Sequence, residues 1–264
     1  MPELVRDDVT LYYERAGNGP PLLLIAGMAS DVASWAPIWP MLTARFDVIA
    51  YDNRCTGRTR PCPAPVSRPA MIADALALAA LFDAPAHMVG HSLGGLTALH
   101  LAAEAPERVE RLVALSAAPA VTPARMALFR TLAELREATG DEAPWYRLLF
   151  HWLFAPAFFA DPARVEEAVS LALAYPHAQT AAAFRAQSAV LADFAVPPDL
   201  GAIRAPTFAA VGAHDLLVPP GVIDQAFAGI GDLTSRVLPD LAHSLHWEDP
   251  AGIAALITGF LEPA

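Results

Sequence analysis

Short runs of consecutive apolar residues recur along this chain, and segments of a different pattern separate them. A run of four to six apolar residues bounded by Gly or Pro is typical of a strand that is buried on both faces. An alternating segment, 9–15, has the pattern of an edge strand, and 236–238 predicts a weaker last strand. The continuous runs lie at residues 22–26, 46–51, 86–89, 112–115 and 207–211.

Helical segments of about a dozen residues lie between these runs, at 69–82, 96–105 and 250–261. Strands that alternate with helices predict βαβ units and a parallel sheet covered by helices on both sides. The pattern therefore predicts an α/β fold with a mostly parallel central sheet.

One region, residues 119–198, interrupts this alternation. It has no strand candidate, but it has several short amphipathic helices and a concentration of aromatic residues. Such a long excursion between two strands is usually functional. We predict a core made of residues 1–118 and 199–264, into which 119–198 is inserted as a helical lid.

Composition and charge narrow the class of protein. Of the 264 residues, 55% are apolar and 17% charged, and the net charge is −11. Nucleic-acid binding and attachment to an anionic membrane both need clustered Lys and Arg, so neither partner is expected. The start of the chain lacks the pattern of a signal peptide, which leads us to expect a soluble cytoplasmic protein.

The two cysteines, Cys55 and Cys62, are expected to be free thiols, since they form no zinc pattern and no disulfide framework.

The sharpest chemical signal is Gly90-His91-Ser92-Leu93-Gly94, between a strand run and a helix. A Gly-x-Ser-x-Gly turn at this place is a nucleophile elbow, because the tight turn lifts the serine hydroxyl above the carboxyl edge of the sheet. The glycines remove Cβ atoms that would clash. The N–H of Leu93 lies at the start of the helix, where it can face a developing oxyanion. The alternative is an ordinary Gly-rich turn.

A serine needs a base, and the base needs an acid that holds its tautomer. His243 follows the last predicted strand and precedes the final helix, so it is the preferred base; His246 is the main competitor, and His91 lies in the elbow. Asp215 follows the penultimate strand, and the order Ser, Asp, His along the chain is the one expected of this turn. The carboxylates at positions 193, 224 and 240 are less well placed. The Met28 N–H, after the first central strand, is the candidate for a second oxyanion donor.

Together, the elbow, the segment 212–219 around Asp215 and the turn at His243 resemble the α/β-hydrolase superfamily over essentially the whole chain. The stretches 25–28 and 51–58 are similar to the branch that contains 3-oxoadipate enol-lactonases, aminoacrylate hydrolases and small esterases. This resemblance implies a Ser92–His243–Asp215 triad, with Met28 and Leu93 as oxyanion donors. Two positions depart from the family pattern. Ala26 replaces the usual His before Gly27, and Cys55 stands where relatives carry Gly.

The expected activity is hydrolysis of a carboxylic ester or lactone through an acyl-enzyme, without a metal or organic cofactor. C–C bond hydrolysis or cofactor-free perhydrolysis on the same triad are alternatives, and a non-catalytic ligand-binding protein of this fold is another. Trp145, Trp152 and Arg125 are candidate substrate contacts, although the aromatic residues could equally form the core of the lid. Arg54 and Arg130 could also reach a substrate carboxylate, but an arginine in a loop is more often solvated or paired.

Overall fold

The computed structural model describes residues 2–62 and 66–262, and these residues form one mixed sheet. Its spatial order is β1-β2-β4-β3-β5-β6-β7-β8. β1 and β2 pair antiparallel, as do β2 and β4, and every other neighbouring pair is parallel. The strands are β1 (Glu3–Val5), β2 (Thr10–Ala16), β3 (Pro21–Ile25), β4 (Asp47–Tyr51), β5 (Ala86–His91), β6 (Val109–Leu115), β7 (Thr207–Gly212) and β8 (Leu233–Leu238).

Each of the seven predicted strand segments overlaps an observed strand. β1 was missed because it is a three-residue edge strand without a buried residue, so no apolar run marks it. β6 begins three residues before its predicted start. Charged Glu110 and Arg111 interrupt the apolar pattern there, where the strand is still partly exposed.

Helices cover both faces of the sheet, as a parallel sheet requires. One face packs against α2, α3 and α8, and the other against α1 and α10. None of the helices in the described residues combines the length and the apolar character needed to cross a membrane. The α-helices are α1 (Trp39–Thr43), α2 (Arg68–Ala79), α3 (Leu93–Glu104), α4 (Pro123–Ala138), α5 (Ala143–Leu153), α6 (Pro162–Ala174), α7 (Ala181–Ala189), α8 (Ile223–Phe227), α9 (Leu245–Glu248) and α10 (Pro250–Leu261).

Helices α4 to α7 lie between β6 and β7, and residues 119–198 contain no strand. Their aromatic side chains pack on one another; the rings of Trp145 and Phe184, for example, are 5.2 Å apart. This helical layer is also hydrogen-bonded to the loop that follows β8. The Ser244 N–H donates to the Leu153 carbonyl at 2.9 Å, and one Glu248 carboxylate accepts from the N–H groups of Ala155 and Ala242.

The expectation that the cysteines are free thiols is wrong: Cys55 and Cys62 form a disulfide, with Cα atoms 4.4 Å apart. The chain turns back on itself between them, and this return brings together two cysteines seven positions apart in the sequence. Cys55 has a φ of 65°, which lies in the left-handed region that favours glycine. A non-glycine residue in that region costs about 1 kcal/mol.

Candidate active site

Three side chains from three different loops meet at the carboxyl edge of the sheet. Ser92 follows β5, Asp215 follows β7 and His243 follows β8. The imidazole Nδ1 of His243 lies 2.9 Å from Asp215 Oδ2, and both residues are buried. Ser92 and His243 line the same two small cavities. The sheet thus brings together the residues expected to act as nucleophile, base and acid.

The turn at Ser92 has the cramped backbone of a nucleophile elbow. Ser92 has a φ of 52° and a ψ of −117°, a conformation that L-residues rarely adopt. Its N–H donates to the Leu115 carbonyl at 2.9 Å, which ties the elbow to β6. A Cβ on Gly90 would overlap the Gly94 carbonyl, and a Cβ on Gly94 would overlap the Ile25 carbonyl. Glycine at these two positions therefore lets the helix leave the strand this sharply.

Asp215 is oriented by its own loop. Oδ1 accepts hydrogen bonds from the N–H groups of Leu217 and Val218, both at 2.8 Å. Oδ2 is left to face the imidazole. These hydrogen bonds fix the orientation of the buried carboxylate. With Nδ1 of His243 donating to this carboxylate, Nε2 of the ring carries a lone pair and can accept a proton.

The two competing histidines are buried and make packing or backbone contacts. His246 is buried and its ring stacks on Trp35 with centroids 4.9 Å apart, and burial lowers its pKa to about 3. His91 is also buried, and its Nε2 contacts the backbone carbonyl of His243 at 2.9 Å. Burial lowers the pKa of His91 well below its usual range. The Nε2–H of neutral His91 therefore donates to the His243 carbonyl, and this hydrogen bond holds the backbone of the His243 loop.

The competing carboxylates have other partners or positions. Asp193 accepts from the Arg68 N–H at 3.0 Å, and Asp224 accepts from the Ser235 hydroxyl at 2.5 Å. Asp240 is exposed in the turn after β8. Asp215 is the carboxylate that reaches His243 in the part of the chain that the structure describes.

Met28 and Leu93 line one cavity together with Ser92 and His243. Leu93 is the first residue of α3, where its N–H has no partner within the helix, and Met28 lies in the loop that follows β3. The Met28 loop is held at the Ala26 carbonyl by Asn53 Nδ2 at 2.8 Å. This arrangement is compatible with two backbone donors directed at a carbonyl oxygen of a substrate attached to Ser92.

The cavities at Ser92 are small, with volumes of about 30 and 50 Å³. A chamber of about 620 Å³ lies beside them, between the segment 119–198 and the loops after β3 and β4, and it shares Ala29, Ser30 and Leu149 with one of them. Its other lining residues include six aromatic side chains of that segment: Trp145, Tyr146, Phe150, Phe154, Phe158 and Tyr175. The space next to the nucleophile is therefore narrow, and the wider space begins beyond Leu149.

The three candidate substrate contacts lie in different places. Arg125 lines the cavity of Ser92, is half-buried, and donates to the Ala120 carbonyl at 3.2 Å. Trp145 is buried, donates from Nε1 to the Leu132 carbonyl, and lines the larger chamber. Trp152 is half-buried on the same helix and lines none of these three cavities of the described chain.

The other two arginines considered for a substrate carboxylate lie elsewhere. Arg54 is buried and forms ion pairs with Asp8 and Asp74 at 2.6 and 2.5 Å. Arg130 is exposed on α4. Of the three arginines, only Arg125 lines a cavity at the nucleophile.

Sequence reasoning missed the contacts that four residues make at this site: His91, Asn53, Gln187 and Glu248. Asn53 lies in the 51–58 stretch, so its position was marked although its contact with Ala26 was not. Gln187 and Glu248 lie on helices without a distinguishing pattern. Gln187 accepts from the Ala29 N–H and Glu248 accepts from the Ala155 N–H, and these contacts join positions 158 and 93 residues apart.

Buried neutral histidines should make the folded protein sensitive to acid. The pKa of His246 in the folded state, about 3, lies below the value near 6.5 of an unfolded chain. Between these two pH values the unfolded state binds a proton on His246 that the folded state does not bind. The contribution of neutral His246 to the free energy of unfolding is therefore fully present above about pH 6.5 and decreases as the pH falls. This residue should lower the free energy of unfolding by up to about 1.4 kcal/mol per pH unit in that window. Urea unfolding from pH 7 to pH 4 measures the slope.

The matched variants for this measurement are His246→Phe and His214→Asn. Phenylalanine preserves a ring beside Trp35 but cannot titrate, so His246→Phe should have a shallower dependence on pH. His214 is exposed, and its replacement should leave the slope unchanged. An identical slope in His246→Phe and the native protein would contradict the assignment.

The chain is similar to known proteins both in sequence and in fold. The family model described as "alpha/beta hydrolase fold" matches residues 20–250. A relative in Variovorax paradoxus (strain S110), named "Putative carbamate hydrolase RutD", is 35% identical over 243 residues, which is 89% of each chain. A solved hydrolase from Pseudomonas aeruginosa PA01 superposes with a TM-score of 0.85 at 25% identity, over 98% of this chain and 97% of the other. The enol-lactonase from Burkholderia xenovorans LB400 has a TM-score of 0.86 at 22% identity, over 98% of this chain and 99% of the other.

Proposed function

The chain belongs to the α/β-hydrolase family, and from that premise we propose that it is a serine hydrolase that cleaves a small ester, lactone or carbamate. Ser92 is the nucleophile, His243 the general base and Asp215 the acid that orients it. The observation that carries the proposal is the buried 2.9 Å contact between His243 Nδ1 and Asp215 Oδ2, beside a cavity that the imidazole shares with a strained Ser92.

In the proposed reaction, His243 Nε2 takes the proton of the Ser92 hydroxyl as Oγ forms a bond to the substrate carbonyl carbon. The carbonyl π electrons move to oxygen, and the N–H groups of Met28 and Leu93 bind this oxyanion. When the tetrahedral intermediate collapses, the bond to the leaving group breaks and the leaving group takes the proton from His243. A water molecule deprotonated by the same imidazole then cleaves the acyl-enzyme. No step needs a metal or an organic cofactor.

Most of the rate enhancement should come from two features. A backbone donor directed at the oxyanion contributes about 3 kcal/mol to transition-state stabilisation. Asp215 stabilises the imidazolium that forms when His243 accepts the serine proton, and it maintains the tautomer that makes this transfer feasible. Burial of the carboxylate, with 3% of its residue surface exposed, limits competition from solvent.

The small volume of the cavities at Ser92 supports a small acyl group, and Arg125 supports an acyl group with a negative charge. Pockets for drug-sized ligands usually measure about 300 to 1,000 Å³, whereas the spaces at Ser92 measure about 30 and 50 Å³. Arg125 lines the same cavity as Ser92, and its positive charge would favour an acyl group that carries a carboxylate. A bulkier leaving group would extend past Leu149 into the chamber lined by Trp145.

Carbamate hydrolysis is the second candidate for the bond that is cleaved. It is favoured by the relatives named for it, which are 35% and 32% identical to this chain in Variovorax paradoxus and Azorhizobium caulinodans. The chemistry would use the same residues, since a carbamate also presents a carbonyl carbon to Ser92 and a carbonyl oxygen to the two N–H groups.

The test of the proposal is covalent labelling of the native protein with a fluorophosphonate probe, followed by mass spectrometry of the peptides. We expect one stoichiometric adduct, located on Ser92, and loss of ester hydrolysis in proportion to labelling. A protein that remains unlabelled, or is labelled elsewhere, would rule out the serine mechanism and favour a ligand-binding role.

A substrate panel then identifies the bond. It comprises short esters with and without a terminal carboxylate, small lactones and a small carbamate, with a diketone and a peroxide–acetate mixture for the C–C hydrolase and perhydrolase alternatives. We expect kcat/KM to be highest for short acyl groups and to decrease steeply with acyl length. Equal rates on short and long acyl chains would contradict the small cavity as the acyl site.

A further inference from the structure

The loop that carries the Met28 N–H is clamped on both sides of that group. On one side, the Ala26 carbonyl accepts a hydrogen bond from Asn53 Nδ2 at 2.8 Å. On the other side, the Ala29 N–H donates to Gln187 Oε1 at 2.9 Å. Asn53 belongs to the loop after β4 in the core, whereas Gln187 lies on α7 of the lid. One of the two clamps therefore comes from the inserted helices.

We propose that Gln187 is a positioning residue that sets the direction of the Met28 N–H, so that the lid completes the oxyanion hole. This inference rests on the proposed function, because it matters only if an oxyanion forms at Ser92. It adds a residue from the lid to a catalytic arrangement whose other members all come from the core.

The geometry of the peptide planes explains why a clamp is needed. The Met28 N–H belongs to the peptide between Gly27 and Met28. Glycine restricts its backbone torsions little, so this peptide could rotate about Gly27. Asn53 holds the preceding peptide through the Ala26 carbonyl, and Gln187 holds the following peptide through the Ala29 N–H. With both neighbours held, the peptide between them has one preferred orientation.

Ala29 itself adds a reason for the second clamp. It has a φ of 56°, the left-handed region that a residue with a Cβ adopts at a cost of about 1 kcal/mol or more. A strained residue persists only where surrounding contacts determine its conformation. The hydrogen bond that the Ala29 N–H donates to Gln187 Oε1 is such a contact, and its loss would let Ala29 relax and shift the adjacent Met28.

Gln187 is in turn held in place within the lid. Its side chain is fully buried, and its Oε1 accepts a second hydrogen bond from Gln179 Nε2 at 3.0 Å. The same Gln179 Nε2 contacts the Cys55 carbonyl at 2.8 Å, so the pair also bridges to the loop after β4. A buried amide oxygen that accepts two hydrogen bonds has little freedom to reorient.

A purely structural role for Gln187 would affect stability and substrate binding, whereas positioning of an oxyanion donor affects the transition state. The test therefore uses Gln187→Leu, which removes the acceptor, and Gln187→Glu, which retains a carbonyl-type acceptor at the same distance along the side chain. Ser188→Ala on the same helix is the matched control, because within the described residues the Ser188 hydroxyl donates to carbonyls of its own helix, those of Phe184 and Arg185. The readouts are kcat and KM for p-nitrophenyl acetate, the inhibition constant of a short alkylboronic acid that forms a tetrahedral adduct on Ser92, and the melting temperature.

We expect Gln187→Leu to lower kcat about 10- to 100-fold and to weaken boronic acid binding by a similar factor, with KM changed less than about twofold. Gln187→Glu should recover most of both losses, and Ser188→Ala should match the native protein. If Gln187→Leu does not fold, Gln187→Asn carries the same expectation, because its shorter side chain leaves the acceptor out of reach of Ala29.

A folded Gln187→Leu with native kcat and native boronic acid affinity would overturn the inference. A loss of activity without weaker boronic acid binding would also overturn it and would assign Gln187 a structural role. Either result is distinct from failure of the proposed function itself, which is tested by fluorophosphonate labelling of Ser92 in the native protein.

Discussion

Replacing Ser92 by alanine is expected to lower kcat/KM for p-nitrophenyl acetate by about 10⁴-fold or more, while the melting temperature stays at the native value. Alanine lacks the oxygen that forms the acyl-enzyme, so only water attack assisted by the oxyanion donors would remain. The backbone should be retained, because the Ser92 N–H, not its hydroxyl, makes the hydrogen bond to the Leu115 carbonyl. Initial rates and thermal unfolding of the two proteins provide the comparison.

The matched control is Ser116→Ala. Ser116 follows β6, has a φ of 46° and lines the same cavity as Ser92, so its replacement makes the same chemical deletion in a similarly strained turn. Activity should remain within a few-fold of native in this variant. Comparable losses in the two variants would show that the cavity, and not the Ser92 nucleophile, is what the substitution disturbs.

Replacing Asp215 by asparagine should lower kcat by about 10⁴-fold with little change in fold. The asparagine Oδ1 can still accept from the N–H groups of Leu217 and Val218, so the loop remains in place. Its NH₂ group then faces His243 Nδ1, which must accept a hydrogen bond. The ring proton moves to Nε2, and the imidazole can no longer accept the proton of Ser92. Steady-state kinetics together with circular dichroism separate loss of catalysis from loss of structure.

Asp224→Asn is the control for this substitution. Asp224 was a competitor for the role of acid, and it contacts the Ser235 hydroxyl on the surface beside α8. Activity of Asp224→Asn should equal that of the native protein. If Asp215→Asn retained more than about a tenth of native kcat, His243 would not depend on this carboxylate and the assignment of the acid would be wrong.

The sequence predicted the fold class because buried strands impose a pattern that local reading can detect. The runs at 22–26 and 207–211 correspond to β3 and β7, each buried along nearly its whole length, and the mostly parallel sheet predicted from such runs is observed. The resemblance to the α/β-hydrolases, which rested on the serine elbow and the turns at Asp215 and His243, is confirmed by the family match. An edge strand such as β1 lacks this signal, because solvent on one side removes the need for apolar residues.

The candidate triad was also proposed from sequence, for a topological reason. Parallel strands present their carboxyl ends at one edge of the sheet, so residues in the loops that follow β5, β7 and β8 are brought to the same edge. The position of each residue relative to its strand was sufficient to select Ser92, Asp215 and His243. The structure adds the 2.9 Å contact between the last two, and the roles in catalysis stay predictions until the variants are measured.

The disulfide and the side-chain clamps could not be predicted. Cys55 and Cys62 approach each other because their loop folds back, and nothing in the two positions indicates this return. The contacts of Gln187 with Ala29, and of His91 with the His243 carbonyl, join positions 158 and 152 residues apart. A glutamine in a helix has the same local pattern whether it faces solvent or an active-site loop.

The sequence by itself determined seven of the eight strands in the described residues and the turn that holds the serine, because burial and tight turns constrain residue types at neighbouring positions. Only the tertiary structure decided which arginine lines the serine's cavity, how small that cavity is, and which side chains hold the Met28 loop. These properties depend on distances between segments remote in sequence, and they result from packing of the lid against the sheet, for which no local pattern of residues exists.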